Sequence, residues 1–360
     1  MYPRIVINLK LLEENVARIA EIVKKECGLP TLALVTKGCC ADPEVVKVIA
    51  ANPDIDYLAD SRIENFKSYP EEAACKKTML LRIPMQSELQ DVVKYIDLCQ
   101  ISEIETIRKL DELAREAGKI QDILLMIDMG DLREGLFFRN KEKILEVAGE
   151  IIALPNIKLR GIGVNMNCYG AIIPKEDNLS EFVGIAKSIE EKYGVTLDIV
   201  SGGNSGTVYL AEAGKLPEGI TNLRIGESYL QGTESSYEQK VSGTHQDTFI
   251  LEAEIVEVQV KPSLPIGESG VDAFGHVPYY EDKGEMRRAI IAAGKQDVEL
   301  DSMTPLDEKI EIMGGSSDHI ILDVTHSETE YKVGDIVRFH LGYSGMLRTT
   351  TSKYVGREYI

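Results

Sequence analysis

Short apolar runs alternate with amphipathic segments over residues 31 to about 230. The runs are rich in Leu, Ile and Val and predict eight strands: TLALV (31–35), DYLAD (56–60), TMLLRI (78–83), DLCQI (97–101), DILLMID (122–128), KLRGIGVNM (158–166), LDIVS (197–201) and NLRIG (222–226). Between them, apolar residues recur at helical spacing in segments 42–52, 102–118 and 178–194. Eight strands that alternate with helices fit a (β/α)₈ barrel better than a six-stranded open sheet. The sequence also lacks a G-x-G-x-x-G motif directly after a strand, which disfavours a dinucleotide-binding sheet.

The helical period fades after about residue 235, and the pattern changes to strands separated by turns. The predicted strands are FILEAEIVEVQV (249–260), RRAIIAAG (287–294), KIEIM (309–313), HIILDV (319–324), DIVRFHL (335–341) and MLRTTT (346–351). We therefore predict an α/β protein in which a (β/α)₈ TIM-like barrel over residues 1–234 precedes a mostly β domain over residues 235–360. Residues 1–10 are a candidate extra strand that pairs with the β domain.

The charge balance and the cysteines exclude several classes of protein. The sequence has 40 Lys and Arg against 59 Asp and Glu, a net charge of −19, and a surface of this kind repels nucleic acid and anionic membranes. Charges such as Arg4 and Lys10 interrupt the N-terminal segment, unlike a signal peptide, and no run of about 18 apolar residues occurs. The six cysteines show no C-x-x-C spacing, and His, Asp and Glu show no metal-ligand spacing. We therefore expect a cytoplasmic protein with reduced thiols and no catalytic metal.

Polar residues follow several of the barrel strands at the end where barrels carry their chemistry. Lys37 comes after the first strand, and the other residues are Arg133, Asn165, Asn204, Ser205 and Arg224. The glycine-rich segment SGGNSGT (201–207) and RIGE (224–227) follow the seventh and eighth strands, where many barrels bind phosphate. A lysine and a phosphate site at one barrel mouth suggest pyridoxal phosphate. A sugar-phosphate aldolase with a Schiff-base lysine would satisfy the same two features.

Several short segments spread through both predicted domains form an ordered series. They are ALVTKG (33–38), IDMGDLREG (127–135), SGGNSG (201–206), LRIGESYLQG (223–232), KPSLPIGESGVDAFG (261–275), SSDHIILDVT (316–325) and GYSGMLRTTTSKYV (342–355). In this order the chain resembles the alanine racemase family of fold-type III pyridoxal phosphate enzymes, and most closely its ornithine racemase-type branch. The resemblance implies a homodimeric racemase that interconverts L- and D-amino acids by removing and returning the Cα proton. It disfavours the aldolase, which would not need the β domain.

The resemblance also implies roles for individual residues. Lys37 would form the Schiff base with pyridoxal 5′-phosphate and act as one of two bases at Cα, while Arg224 would face the pyridine nitrogen. Because arginine stays protonated, that nitrogen would stay unprotonated, which favours return of the proton to Cα over transamination. Further cofactor contacts would come from Arg133, Asn165, Asn204, Ser205, Gly226, Glu227 and Tyr343. Arg133 would also bind the substrate, together with Ser317 and Asp318 supplied by the partner subunit's β domain.

The sequence departs from the family pattern at three positions. Asn165 stands where the family usually has a histidine, and Met126 stands where it often has a carbamylated lysine, so we expect no carbamate. Phe274 stands where alanine racemases place the tyrosine that acts as the second base, and phenylalanine cannot carry a proton. The candidates for the second base are therefore His276, Tyr279, Tyr280 and Asp272.

The residues near Lys37 favour a basic substrate. Ala41 replaces a bulky tyrosine common in the family, which would enlarge the pocket. A distal ammonium group could pair with Asp272, Glu268 or Glu227, so ornithine or a similar basic amino acid is the predicted substrate. The alternatives are an alanine or broad-spectrum racemase and a pyridoxal phosphate-dependent decarboxylase of the same architecture. Arg224 disfavours the decarboxylase, which generally carries an acidic residue there, and the β domain disfavours a non-catalytic single-barrel cofactor-binding protein.

Overall fold

The computed structural model describes residues 1–277 and 279–360, and these form two compact units. One unit is Leu9–Gln246, and the other combines Met1–Asn8 with Asp247–Ile360. The boundary therefore lies after Gln246 rather than at the predicted position after residue 234. The reason is that the intervening residues bond to the first unit: Ser236 Oγ donates to Gly206 O at 2.8 Å, and Ser242 N donates to Glu212 Oε1 at 2.8 Å.

Parallel strands close into a barrel in the first unit. Strand β1 (Arg4–Ile7) belongs to the second unit, and the eight barrel strands found within the described residues are β2 (Thr31–Val35), β3 (Tyr57–Asp60), β4 (Lys77–Leu80), β5 (Leu98–Ile101), β6 (Gln121–Asp128), β8 (Ile157–Val164), β9 (Ile199–Ser201) and β10 (Asn222–Ile225). Pairing of β5 with β6 completes the ring, and the short strand β7 (Leu136–Phe137) pairs with β6 outside it. The predicted TIM-like barrel is confirmed.

The helices of the first unit alternate with its strands, and the longer ones bury one apolar face each. They are α1 (Leu9–Ala20), α2 (Pro43–Ala51), α3 (Ile63–Lys67), α4 (Leu89–Tyr95), α5 (Ile104–Glu116), α6 (Lys141–Ile152), α7 (Glu176–Tyr193), α8 (Val208–Glu212) and α9 (Glu227–Gln231). In α5, for example, Ile107, Leu110 and Ala114 are buried at helical spacing. The helices predicted over 42–52, 102–118 and 178–194 correspond to α2, α5 and α7. In the described part of the chain, no helix has the length and apolar character needed to cross a membrane.

The barrel interior changes from apolar to polar along the strands. A layer of buried side chains that includes Ala33, Leu98 and Ile199 forms its apolar part. Two residues further along their strands, Gln100 and Ser201 are on the same faces as Leu98 and Ile199 because side chains alternate along a strand. The polar layer therefore lies at the carboxyl ends of the strands, where the candidate active-site residues are found.

The second unit contains a mostly antiparallel sheet, as predicted for the β domain. Its strands are β1, β11 (Phe249–Pro262), β12 (Glu285–Ile291), β13 (Met303–Pro305), β14 (Glu311–Gly315), β15 (Ile320–Asp323), β16 (Ile336–Leu341) and β17 (Gly356–Tyr359). The main strand order is β13-β16-β11-β12-β15-β14. Strand β1 pairs antiparallel with β11 and parallel with β17, so the N-terminal residues are part of this sheet.

One predicted strand of the β domain is wrong. MLRTTT (346–351) lies in helix α10 (Tyr343–Thr351), not in a strand. The β-branched threonines favoured a strand in the sequence, but Met346, Thr349 and Thr350 are buried at helical spacing. The hydroxyl of Thr351 donates to Leu347 O at 3.0 Å, a bond that lets threonine satisfy its side chain inside a helix.

Candidate active site

Lys37 lies at the carboxyl end of the first barrel strand, on a tightly bonded turn. It is half-buried and begins the 3₁₀ helix Lys37–Cys39 directly after β2. The hydroxyl of Tyr229, on α9, donates to Val35 O at 2.9 Å, which fixes the end of the strand. Ala41 N donates to Thr36 O at 3.1 Å, and Ala41 adopts the left-handed φ of 52°. The turn therefore holds Lys37 at the mouth of the barrel.

The two segments predicted to bind phosphate meet in space. Ser205 Oγ accepts hydrogen bonds from the N–H groups of Gly226 and Ser228, both at 3.2 Å. Packing is close at Gly226, where a Cβ atom would lie 3.3 Å from Val35 Cβ. These residues form what we call the cradle: the 3₁₀ helix Ser205–Thr207 together with the start of α9. Backbone N–H groups at helix starts favour anions, so the cradle suits a phosphate.

Unpaired donors border the cradle. Asn165 Nδ2 and Ser228 Oγ are buried and have no hydrogen-bond partner among the described residues. Asn165 Oδ1 accepts from Asn204 Nδ2 at 3.2 Å, and Asn204 Oδ1 accepts from Gly206 N at 2.8 Å. Buried polar groups are usually satisfied, so unpaired donors beside an anion-favouring backbone fit a phosphate-bearing ligand such as pyridoxal phosphate.

Arg224 lies at the centre of the polar layer and is almost completely buried. Its guanidinium donates to Ser201 Oγ and to Val164 O, the latter at 2.6 Å. With the Gln100 amide in the orientation that satisfies its neighbours, Gln100 accepts from Arg224 Nε at 2.9 Å. Burial lowers the pKa of Arg224 to about 10, which still leaves the guanidinium protonated at neutral pH. Arg224 is therefore a fixed cation that can donate hydrogen bonds and cannot accept them.

Glu134 is a site residue that the sequence analysis missed. Its carboxylate accepts from both Nε and Nη2 of Arg133. Partial burial lowers the pKa of Arg133, but this hydrogen bond to Glu134 gives a net rise. Glu134 also acts on Arg224, whose pKa it raises against the effect of burial. Glu134 directly follows Arg133 in IDMGDLREG, but this adjacency does not show that the two side chains pair.

Met126 is completely buried close to Arg224. A Cβ atom on Gly163 would lie 2.8 Å from Met126 Sδ and 3.9 Å from Arg224 Nη1. The thioether therefore fills the space beside the arginine. A thioether has no amine to carbamylate, so the carboxylate near these arginines comes from Glu134 instead.

Glu227, at the first turn of α9, carries a half-buried carboxylate. Burial raises its pKa, and hydrogen bonds from Ser235 and Thr233 lower it. The distance from Thr233 Oγ1 to Glu227 Oε1 is 3.4 Å. The side chain thus turns toward the segment that follows α9, and its backbone remains part of the cradle.

Asp131 anchors the loop that carries Asn165 and the exposed Cys168. Its buried carboxylate accepts from the backbone N–H groups of Asn167 at 3.0 Å and Gly170 at 3.0 Å. The loop therefore depends on one side chain from the neighbouring strand end.

Asp131→Ala is expected to destabilise the fold, because it leaves several backbone N–H groups of this loop without their charged acceptor. We expect the free energy of unfolding to fall by about 3 kcal/mol, the value of hydrogen bonds to a charged group. Urea denaturation of the purified protein measures it. Asp131→Asn keeps one acceptor oxygen and is expected to lose about half as much, and equal stability of all three proteins would contradict this role.

The residues predicted to bind substrate from the β domain lie in the second unit. Ser317 and Asp318 occupy the exposed turn between β14 and β15, where Ser317 Oγ donates to Asp318 Oδ2 at 2.6 Å. Gln296 Nε2 also donates to Asp318. Tyr343 is the first residue of α10.

The candidates for the second base are grouped around one turn of the second unit. The carboxylate of Asp272 accepts from the N–H groups of His276 at 2.9 Å and Phe274 at 2.8 Å. These bonds, that of His276 first, lower the pKa of Asp272 and make it a weaker base. His276 Nδ1 lies 3.9 Å from Asp272, and Tyr279 and Tyr280 are both exposed.

Lys295, which the sequence analysis did not single out, lies over this turn. Its Nζ is 4.0 Å from the centre of the Phe274 ring, a cation–π contact. Its backbone N–H donates to Ser316 O at 2.8 Å. Lys295 therefore connects the turn of Phe274 to the segment of Ser317 and Asp318.

Comparison with known proteins decides the family. Residues 7–231 match the family model described as the N-terminal domain of alanine racemase. The chain belongs to the alanine racemase family. It is 49% identical to ornithine racemase of Acetoanaerobium sticklandii over 358 residues, 99% of each chain. It is 39% identical to lysine racemase of Thermotoga maritima over 359 residues, which cover 100% of this chain and 99% of that protein.

A solved member of the alanine racemase family has the same fold. The alanine racemase of Bartonella henselae, determined with covalently bound pyridoxal phosphate, superposes with a TM-score of 0.72 over 100% of both chains at 16% identity. The protein is an isomerase, a pyridoxal 5′-phosphate-dependent amino-acid racemase, which confirms the predicted enzyme class and cofactor.

Proposed function

We propose that the protein interconverts L- and D-ornithine. The observation that carries this proposal is the arrangement of Lys37, the cradle and a donor-only Arg224 at one barrel mouth, in a chain 49% identical to an ornithine racemase. The half-buried Glu227 supports a basic substrate, because an ammonium group offsets the cost of burying a carboxylate.

The cofactor site is assigned to residues of the first unit. Lys37 would hold the cofactor aldehyde, and Ser205 with the backbone of Gly226 and Glu227 would hold its phosphate. Bound pyridoxal phosphate supplies an aldehyde that bonds to amines and a ring that withdraws electrons from Cα. The donor Asn165 Nδ2, unpaired among the described residues, would satisfy a further acceptor. Asn204 would act beside it, and Tyr343 would add a phosphate contact from a β domain.

The proton chemistry is assigned to Lys37 and a second base. Lys37, once its amine is released, would take or return the Cα proton on one side of the substrate. Arg224 would face the ring nitrogen as a donor that keeps its own proton, which would weaken the ring as an electron acceptor and favour return of the proton to Cα. Arg133, held by Glu134, would bind the substrate carboxylate.

We place the second base among His276, Tyr279, Tyr280 and Asp272 of the β domain. His276 is favoured, because histidine is the side chain that most often acts as a general base, and the Asp272 carboxylate lies only 3.9 Å from its Nδ1 on the same turn. Asp272 itself is disfavoured by its lowered pKa. Ser317 and Asp318 would contact the substrate beside this base.

We also propose a homodimer in which each β domain completes the partner's active site. The loop between β11 and β12 exposes large apolar side chains, including Ile266 at 91%, Val277 at 77% and Tyr279 at 91% of their surface. Exposed apolar residues in such number are typical of an interface. The free thiols of the cysteines support a cytoplasmic location.

Ornithine is expected to be the preferred substrate. We expect kcat/KM for ornithine to exceed that for alanine and serine by at least about 10²-fold, because the smaller substrates lack the distal ammonium group and lose its charge-assisted pairing with a site carboxylate. We expect kcat/KM for lysine to lie between the value for ornithine and the values for alanine and serine. Racemisation of the four amino acids is followed by chiral chromatography in deuterated solvent.

Two outcomes would contradict the proposal. A strong preference for alanine would eliminate the ornithine assignment while leaving the racemase class intact. Release of carbon dioxide without deuterium at Cα of recovered substrate would instead indicate a decarboxylase.

A further inference from the structure

Thr36 joins β2 to the turn that begins at Lys37, and its side chain is completely buried. Its hydroxyl donates to Asp60 Oδ2 at 2.6 Å, and the hydroxyl of Tyr69 lies 2.8 Å from the same Thr36 oxygen. The backbone N–H of Thr36 donates to Ala59 O at 2.8 Å. Thr36 is therefore bonded through both its backbone and its side chain, immediately before Lys37.

Asp60 sets the direction of these hydrogen bonds. Its Oδ1 accepts from the N–H groups of Ser61 at 2.6 Å and Arg62 at 3.0 Å, while Oδ2 accepts from Thr36. Burial raises the pKa of Asp60, whereas the hydrogen bonds that it accepts, that of Thr36 first, lower it. In its ionised form the carboxylate can only accept, so the single hydroxyl proton of Thr36 points to Asp60 Oδ2 at 2.6 Å rather than to the more distant Ala59 O at 3.3 Å. Tyr69 must then be the donor to Thr36. Burial raises the pKa of Tyr69 well above its ordinary value, so Tyr69 keeps its proton and remains a donor.

The strand end is also tied to the cradle. Tyr229 of α9 donates to Val35 O, and Gly226 packs against the Val35 side chain. The position of Lys37 relative to the cradle is therefore set by bonds on the strand residue Val35 and on Thr36. The hydroxyl of Thr36 makes two of these bonds, so a substitution at position 36 can remove them.

We propose that Thr36, backed by Asp60 and Tyr69, is a positioning residue that directs the Lys37 amine toward the reacting atoms. The proposal rests on the role of Lys37 given above. A valine has nearly the same shape as threonine and fills the same space, so the turn does not need the hydroxyl for packing. The hydroxyl is needed because it alone links the Asp60 carboxylate to the Tyr69 phenol, and a valine leaves both buried groups without that partner.

Thr36→Val and Thr36→Ser form the matched pair that tests this role. For the holoenzyme we expect Thr36→Val to lower kcat about tenfold, the effect of one lost hydrogen bond, with KM for ornithine nearly unchanged. We also expect a weaker visible circular dichroism band, since that signal reports the fixed orientation of the bound cofactor. Thr36→Ser restores the hydroxyl and is expected to recover both readouts.

Three further observations decide the inference. A folded Thr36→Val protein with the kcat and dichroism of the wild type would overturn it, as would a Thr36→Ser protein as impaired as Thr36→Val. If Thr36→Val does not fold, Tyr69→Phe removes only the outer donor, and a smaller decrease in kcat and dichroism is expected, whereas unchanged values overturn the proposal.

Failure of the proposed function gives a different result. Borohydride reduction of the wild-type holoenzyme followed by peptide mapping shows whether the cofactor is bonded to Lys37. A label elsewhere defeats the assignment of Lys37 itself. A label on Lys37 combined with an unaffected Thr36→Val protein defeats only the role of Thr36.

Discussion

Lys37→Ala is expected to abolish covalent cofactor binding and to lower racemisation by at least about 10³-fold. Lys37 is assigned both the bond to the cofactor and one proton transfer at Cα, and a positioned acid–base group alone contributes roughly 10²–10⁴-fold. The protein is expected to be colourless after dialysis, because phosphate contacts at the cradle alone hold the cofactor reversibly. Visible absorbance and chiral chromatography measure the two effects.

Lys37→Arg is the matched control for the charge at this position. Arginine keeps a cation on the turn, but its guanidinium neither bonds to an aldehyde in this way nor gives up a proton near neutral pH. It is expected to be as inactive as Lys37→Ala while keeping more noncovalently bound cofactor. If the Lys37→Ala protein stays yellow after dialysis and racemises ornithine with the wild-type kcat, the assignment of Lys37 is refuted.

The barrel could be predicted because each strand is a short apolar run bounded by helical periodicity. The run at 122–128, for example, corresponds to β6 at Gln121–Asp128. The errors lie in the second unit, where local pattern and tertiary packing disagree. Strand β17 was missed because its residues are polar and exposed, and it forms by pairing with β1 from the other end of the chain. The sequence of helix α10 predicts a strand, because its threonines are β-branched residues that favour strands. The helical spacing of its buried residues is the weaker signal.

The sequence predicts those residues of the site that directly follow barrel strands. Ser205 and Gly226 follow neighbouring parallel strands, so topology alone brings them together. The pairs Arg133–Glu134 and Thr36–Asp60 depend on which way side chains turn, which no motif in the sequence records. The substrate contact of Ser317 stays a prediction for the same reason. It is implied by the family resemblance, and contact between chains depends on surfaces from distant segments.

Arg224→Glu is expected to reduce racemisation by about 10³-fold and to introduce transamination, because it replaces a donor-only cation with a group that can exchange a proton with the ring nitrogen. Arg224→Glu is also expected to destabilise the folded protein. A carboxylate at this position would face Val164 O and the oxygen atoms of Ser201, which now accept hydrogen bonds from Arg224. We expect the free energy of unfolding to fall by at least about 3 kcal/mol, as for other buried charges left without a partner.

The products separate the two effects of Arg224→Glu. Loss of activity from instability alone lowers every product together, whereas a changed reaction course raises the keto acid relative to the D-amino acid. Chiral chromatography of the D-amino acid and mass spectrometry of the keto acid, at a temperature where the variant remains folded, measure that ratio. Arg224→Lys, which keeps the charge but loses the planar donor set, is expected to racemise slowly without keto acid. If folded Arg224→Glu racemises ornithine at the wild-type rate and forms no keto acid, control of the proton at the ring nitrogen does not depend on Arg224.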